Sequence, residues 1–222
     1  MTSEIRRTPR SRVRRLPQRG SYDRAVINQV LDEGIVAHVG FVHEGSPFVI
    51  PMGYARDGDR LLLHGSSASR LMRLLAAGTE AAVTVTLLDA LVLARSYFHH
   101  SMNYRSVVVL GRTAEVGEAD EKRRALDVLL SRLVPGRHGD ARPTNDLELR
   151  ATLVAQIPIK EATAKLRTGP PADDDEDLAL PFWAGLVPVN TTFGPPEPAP
   201  DLRDGIEPPA YARNYGRRPT DG

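Results

Sequence analysis

With 222 residues, 41% of them hydrophobic, the chain is long enough for one substantial core with tails, and its formal charge of +1 gives no global attraction for nucleic acid or an anionic membrane. The absence of cysteine excludes disulfides, thiolate metal sites, iron–sulfur clusters and cysteine nucleophiles, and it suits a reducing cytoplasm. No apolar run approaches the ~20 residues that span a bilayer, and no hydrophobic signal core follows the basic N-terminus, so a soluble cytoplasmic protein is expected.

Residues 1–20 hold seven arginines between Arg6 and Arg19, with Pro9 and Pro17 and few apolar side chains. Such a segment cannot fold alone. Without interleaved aromatics it is read as a strap over the body of the protein or a partner subunit, in preference to a nucleic-acid arm. A helix is expected from Ser21 to about Glu33, with Ala25, Val26, Val30 and Leu31 on one face and Gly34 past its end. Three strands then follow, Ile35–Val42, Phe48–Ala55 and Arg60–His64, joined by His43–Pro47 and by Asp57-Gly58. A short helix over Ser69–Ala77 leads to further strands at Ala81–Leu88, Leu91–Tyr97 and Tyr104–Val116, the last with a bulge expected at Gly111. From Asp120, Ala125, Val128, Leu129 and Leu133 recur at helical spacing until Pro135-Gly136, and Leu153–Leu166 gives a last strand, bent near Pro158. The loop from Arg137 to Asp146 is polar. At least six strands in antiparallel order with two or three peripheral helices give a mainly β protein, a small barrel rather than a doubly wound sheet.

After Gly169 the composition changes: Asp173–Asp177 is acidic, and eleven of the eighteen prolines lie from Pro170 onward. Three segments are therefore expected, a basic arm over 1–20, a barrel domain over 21–169, and a proline-rich tail over 170–222. Within the tail the apolar island 182–189 contains Trp183, the one tryptophan, which is expected to dock on a pocket.

Two stretches could carry chemistry. Leu61–Leu75 reads as strand, turn and helix, with Ser66, Ser67, Ser69 and Arg70 where the helix begins. Free N–H groups, hydroxyls and a guanidinium suit a phosphate. Ser69 as a simple helix cap is the alternative, and the residues alone leave both open. The second stretch, Ser96–Val107, mixes Tyr97, Phe98, His99, His100, Asn103, Tyr104, Arg105 and Ser106, a set suited to a planar heteroaromatic ligand. Adjacent histidines on a strand point to opposite faces, so no metal site is expected.

Pro51-Met52-Gly53-Tyr54, the segment from Leu61 to Arg70, His99–Val107 with the following Val108-Val109-Leu110-Gly111-Arg112, and Trp183–Pro188 together resemble the flavin-nucleotide-binding branch of the pyridoxamine 5′-phosphate oxidase-like superfamily, which is related to nitroimidazole reductases. The resemblance covers about residues 6–190. It implies an FMN-binding split barrel, a homodimer with FMN in the groove between subunits, and the FMN phosphate at Ser66, Ser67, Ser69 and Arg70. The ring would run along Val49, Ile50, Pro51 and Met52 and along Leu63 and His64. Asn103, Tyr104, Arg105 and Ser106 would reach it from the facing strand, and Trp183 would close over it. His64 resembles a histidine beside the cofactor in nitroimidazole reductases and is the candidate catalytic residue, although a strand-end histidine can equally bond a backbone carbonyl. His38, His43 and His138 are read as surface or structural. The resemblance implies an oxidoreductase passing electrons from a reduced nicotinamide donor to a small-molecule substrate such as a nitro compound, a quinone-like molecule or oxygen. Alternatives within the superfamily are a flavin carrier or redox sensor without turnover, or the same barrel holding haem or a deazaflavin. Pyridoxamine phosphate is not the expected substrate, because the chain continues past Lys160–Arg167 into the proline-rich tail instead of an arginine-rich C-terminal signature.

Overall fold

The computed structural model describes residues 4–216, so the ends of the arm and of the tail, residues 1–3 and 217–222, lie outside the described residues. The barrel is built from alternation. In β2 (Val36–His43), Ala37, Val39 and Phe41 are buried, and in β4 (Arg60–Ser66) Leu61 and Leu63 face the same interior. Between them β3 (Ser46–Asp57) pairs with β2 along its first half and with β4 only through Tyr54–Asp57. The β2–β3 turn places Glu44 and Gly45 at φ of 49° and 76°, a two-residue turn whose twist suits the flanking strands.

The sheet continues through β5 (Glu80–Leu93) and β6 (Ser101–Arg112) to β9 (Ala162–Arg167), while β8 (Thr152–Pro158) pairs with β4. Because β8 and β9 are one chain bent at residues 159–161, the sheet closes on itself. The Ile159 N–H donates to the Asp59 carbonyl at 2.7 Å, and the Leu110 N–H donates to Glu161 at 2.8 Å. The staves are therefore β2, β3, β4, β8–β9, β6 and β5, the six-stranded antiparallel split barrel expected from the sequence. Short β1 (Gly20–Ser21) and β7 (Ala114–Glu115) extend the edges at β9 and β8.

Helix α1 (Arg24–Glu33) sends Ile27, Val30 and Leu31 into the barrel core, and the Tyr54 hydroxyl donates to the Leu31 carbonyl at 2.6 Å. Helix α3 (Ala119–Leu133) covers the outer face of β3, β4 and β8, where Ala125 and Leu129 pack on Ala55, Leu62 and Val154. Helix α2 (Arg70–Ala76) contributes Leu71, Met72 and Leu75 to the barrel core. Among the described residues, no helix is long and apolar enough to cross a membrane.

Several sequence expectations are corrected. The first helix begins at Arg24, since Ser21 lies in β1 and Asp23 takes the cap, accepting from the Ala25 N–H at 2.8 Å. Ala81–Leu88 and Leu91–Leu93 are one strand whose irregularity falls at Asp89, while Tyr97 opens a 3-10 turn beyond its end; Gly111 sits in register with Ala81 and is no bulge. The Tyr104–Val116 segment divides into β6 and β7, and Leu153–Leu166 into β8 and β9. A helix, α4 (Asp146–Ala151), follows the polar loop, with Asn145 and Glu148 forming a reciprocal capping box.

The tail is fastened at both ends. Asp173 is nearly enclosed and accepts from the Arg95 backbone N–H and guanidinium, both at 2.8 Å. Strand β10 (Gly185–Pro188) then pairs with Ala90–Leu93 of β5. Beyond it, α5 (Ala210–Arg213) lies against the end of α3, where the Tyr211 hydroxyl bonds Asp140 and the Tyr215 hydroxyl bonds the Leu133 carbonyl.

Candidate functional site

The limited β3–β4 pairing leaves an opening. Beyond Tyr54 and Leu63 the two strands diverge, and β4 stays with β8 through Ser66. Across the opening the Arg70 guanidinium lies over the Phe48 ring of β3, 4.6 Å from its centroid. Among the described residues Arg70 has no carboxylate or hydrogen-bond partner. Ser69 caps α2 by accepting from the Met72 N–H at 3.4 Å, and Ser66 accepts from the Ala68 N–H at 3.2 Å. Their hydroxyl protons stay available to donate. The cap reading of Ser69 is therefore realised, and it leaves the phosphate reading open. Ser67 is half-buried at the same corner, its N–H bonded to the Ala151 carbonyl at 2.8 Å.

His64 and Leu63 part company. Leu63 is wholly buried in the barrel core, so only its backbone is available to a ligand. His64 points outward, in register with Val154, and has no side-chain partner among the described residues. Partial burial of the ring lowers its pKa below the ordinary 6.5, which favours the neutral form with a free lone pair.

On β3, Ile50 and Met52 lean onto the barrel core, while Val49 and Pro51 face outward. Val49 is 65% exposed and Val42 of β2 64%. In this outward layer His38 aligns with Pro51 on one side and Thr84 on the other. His38, read from the sequence as a surface or structural histidine, thus sits in the middle of an open face with no partner among the described residues. The alternation of Val36–Val42 carried that signal.

The β6 residues lie elsewhere. In sheet order, β5 and β2 separate β6 from β3, so one chain does not bring Asn103–Ser106 to the Ser66–Arg70 corner. Asn103 is buried, donating to the Gly169 carbonyl at 3.1 Å and accepting from Arg167. Arg105 is gripped by Asp89 at 2.9 Å and Glu33 at 2.5 Å, and its hydrogen bonds to Asp89, followed by those to Glu33, hold its pKa above the ordinary arginine value. The Ser106 hydroxyl donates to the Lys165 carbonyl at 3.3 Å, and Tyr104 is half-buried opposite Leu88.

Trp183 lies by the end of β5, just ahead of β10, which pairs with the β5 edge opposite β6. It packs against Gly185, where a Cβ would meet its ring at 2.8 Å, yet it remains 67% exposed, so no pocket among the described residues encloses it. Nearby in the β5–β6 connection, Tyr97 and Phe98 are 99% and 89% exposed. His99 bonds Asp174 at 3.1 Å and His100 bonds the Ser96 carbonyl at 2.8 Å, so neither ring is free. Among the described residues no group of three or more His, Asp or Glu side chains could hold a metal ion.

A family model for pyridoxamine 5′-phosphate oxidase matches residues 23–166. Flavocytochrome Anf3 from Azotobacter vinelandii is 40% identical, with a TM-score of 0.88 over 92% of this chain and 95% of that one. An FAD and haem binding protein from Mycobacterium smegmatis is also 40% identical, with a TM-score of 0.85 over 88% of this chain and 96% of that one. A candidate 5-nitroimidazole antibiotic resistance protein from Bacteroides thetaiotaomicron shares the fold, at 24% identity and a TM-score of 0.56 over 66% of this chain and 85% of that one. No curated protein matches the sequence. Closed barrel, divergent β3–β4 corner and matched span agree, and the chain belongs to the pyridoxamine 5′-phosphate oxidase family of split barrels.

Proposed function

We propose that this chain is a homodimeric redox protein that binds a flavin nucleotide and haem together. The observation that carries the reading is the pair of 40%-identical relatives, matched over nearly their whole length, one a flavocytochrome and the other binding both FAD and haem. FAD is favoured on this ground over the FMN that the sequence resemblance implies.

The donor groups in this chain fit both cofactors. Arg70, Ser66, Ser67 and Ser69 would hold a flavin phosphate, with the unpaired guanidinium supplying the charge and the serines the hydroxyl donors. His38 and His64 are outward imidazoles without side-chain partners among the described residues, and neutral imidazole is the haem ligand most in keeping with a chain that has no cysteine. Bound flavin supplies hydride acceptance and bound haem one-electron transfer. The protein's own contribution is to anchor the phosphate, orient the ring against the outward faces of Val49 and Pro51, and keep water off an apolar surface.

The separation of the two clusters is what supports a dimer. A second copy laid on the open β2–β3–β5–β6 face would cover Val42, Val49 and Met102, and it would bring Tyr104 and Trp183 of one subunit toward the corner of the other. The reaction in keeping with this arrangement moves electrons from a reduced nicotinamide donor to a small acceptor such as oxygen, a quinone-like molecule or a nitro compound. A redox sensor without turnover is the competing outcome, and it is separated by whether NADH or NADPH supports repeated reduction of such an acceptor.

Arg70→Ala tests the anchor. Loss of one charge-assisted contact, about 1.5–3 kcal/mol, should lower flavin retention on gel filtration while thermal unfolding of the barrel stays close to wild type. Full flavin occupancy in the variant would remove the corner from the site.

A further inference from the structure

We propose that the N-terminal arm forms a second anion site, separate from the Ser66–Arg70 corner, which binds a nucleoside diphosphate. The arm is not loose. Ile5 enters the barrel core, the buried Ser11 carbonyl accepts from the Tyr22 and Thr163 hydroxyls, and Arg10 pairs with Glu161 at 2.7 Å and Glu80 at 3.1 Å. Leu16 holds a φ of 55°, a left-handed conformation costly for leucine, and the chain turns there to bring Gly20 against Val13. A Cβ on Gly20 would lie 2.9 Å from Val13 Cγ2, so only glycine fits without displacement.

This fold-back frames an open cleft of about 760 Å³ lined by the exposed Arg7, Arg12 and Arg14, with Val13, Pro17 and Tyr22 among its walls and no carboxylate residue. Arg7 is fixed over the Tyr22 ring, 4.5 Å from its centroid. Among the described residues, the guanidinium groups of Arg7, Arg12 and Arg14 have no carboxylate partner. Residues 1–20 carry seven arginines against Glu4 alone, so in a chain of formal charge +1 the positive potential is gathered on this arm. Mutually repelling cations held on a braced loop gain most from a ligand that brings several negative charges at once, and planar guanidinium forks match phosphate oxygens. The apolar walls suit a base or ribose beside those phosphates, and the volume lies in the range of small-ligand pockets. No lining residue belongs to β3, β4 or α2, and the site does not depend on the flavin assignment.

The test is titration of the full-length protein, as purified with whatever it retains, with ADP and separately with inorganic pyrophosphate at near-physiological salt. One ADP per chain should bind more tightly than pyrophosphate, and the Arg12→Ala/Arg14→Ala double variant should lose about tenfold or more in affinity at unchanged flavin content. Single Arg7→Gln, which removes one charge and leaves the Arg12 and Arg14 guanidinium groups in place, should give a smaller loss. Unchanged ADP affinity in the double variant, or loss of ADP binding in Arg70→Ala with retention in the double variant, would overturn the proposal. So would binding of long nucleic acid with no measurable affinity for ADP, which would mark a polyelectrolyte strip instead.

Discussion

At the scale of single residues, freedom from a partner separates candidate ligand-holding groups from structural ones. Arg105 and Asn103 are cofactor-binding candidates in the sequence as Arg70 is, yet Asp89 and Glu33 hold the first, while Arg167 and Gly169 hold the second. Arg70 rests on an aromatic face and keeps its donors. The histidines sort in the same way, since His99 and His100 are bonded within the β5–β6 connection and His38 and His64 are not. If one of these two free imidazoles ligates haem, His38→Ala and His64→Ala made together should remove the haem absorption while flavin is retained, and the single variants should show which ring is the ligand. Full haem content in the double variant would move the ligand elsewhere.

At the scale of elements, the tail is held by charge as much as by pairing. Burial works to raise the pKa of Asp173, but the hydrogen bonds from the Arg95 N–H and guanidinium outweigh it and leave the carboxyl below its usual value. The contribution is therefore complete above the ordinary aspartate pKa of about 4 and is lost as pH falls through the lower folded value. Trp183, ten residues on and unique in the chain, reports this directly: its fluorescence should hold steady from neutral pH to about 4 and change below it. Asp173→Asn should give the changed signal already at pH 7. A transition centred near neutrality would mean that another group anchors the tail. Local periodicity made the barrel legible, with β2, β3, β4, α2 and α3 visible from alternation, turn glycines and helical spacing. What the sequence hid was non-local. Pairing along the whole of β6 overrides the polar Asp89 and makes β5 one strand, the bend at residues 159–161 closes the barrel, and the capping pair Asn145 and Glu148 starts a helix only six residues long at the end of a polar loop. The candidate site was legible as residue types, but not as two clusters set on different strands.

At the scale of the whole molecule, one chain leaves an apolar sheet face and several aromatic rings open to water. Val42 and Val49 stand on strands whose other sides form the core, and Tyr97, Phe98 and Trp183 crowd the end of β5. A patch of this kind marks an interaction surface, and a second copy is the occupant that would also join the two halves of the candidate site. Light scattering should therefore give twice the chain mass of 24.3 kDa, and Val49→Glu should shift the particle toward the monomer with loss of bound flavin. A monomeric wild type with full cofactor content would show that one chain completes the site.

The flavin-and-haem assignment is tested most directly by the visible absorbance spectrum of full-length protein purified without added cofactor, with the released flavin identified by chromatography. The account predicts overlapping flavin and Soret bands, the Soret band sharpening on reduction, and FAD as the released flavin. A spectrum with neither band, in protein that takes up neither cofactor when both are offered in excess, would contradict it.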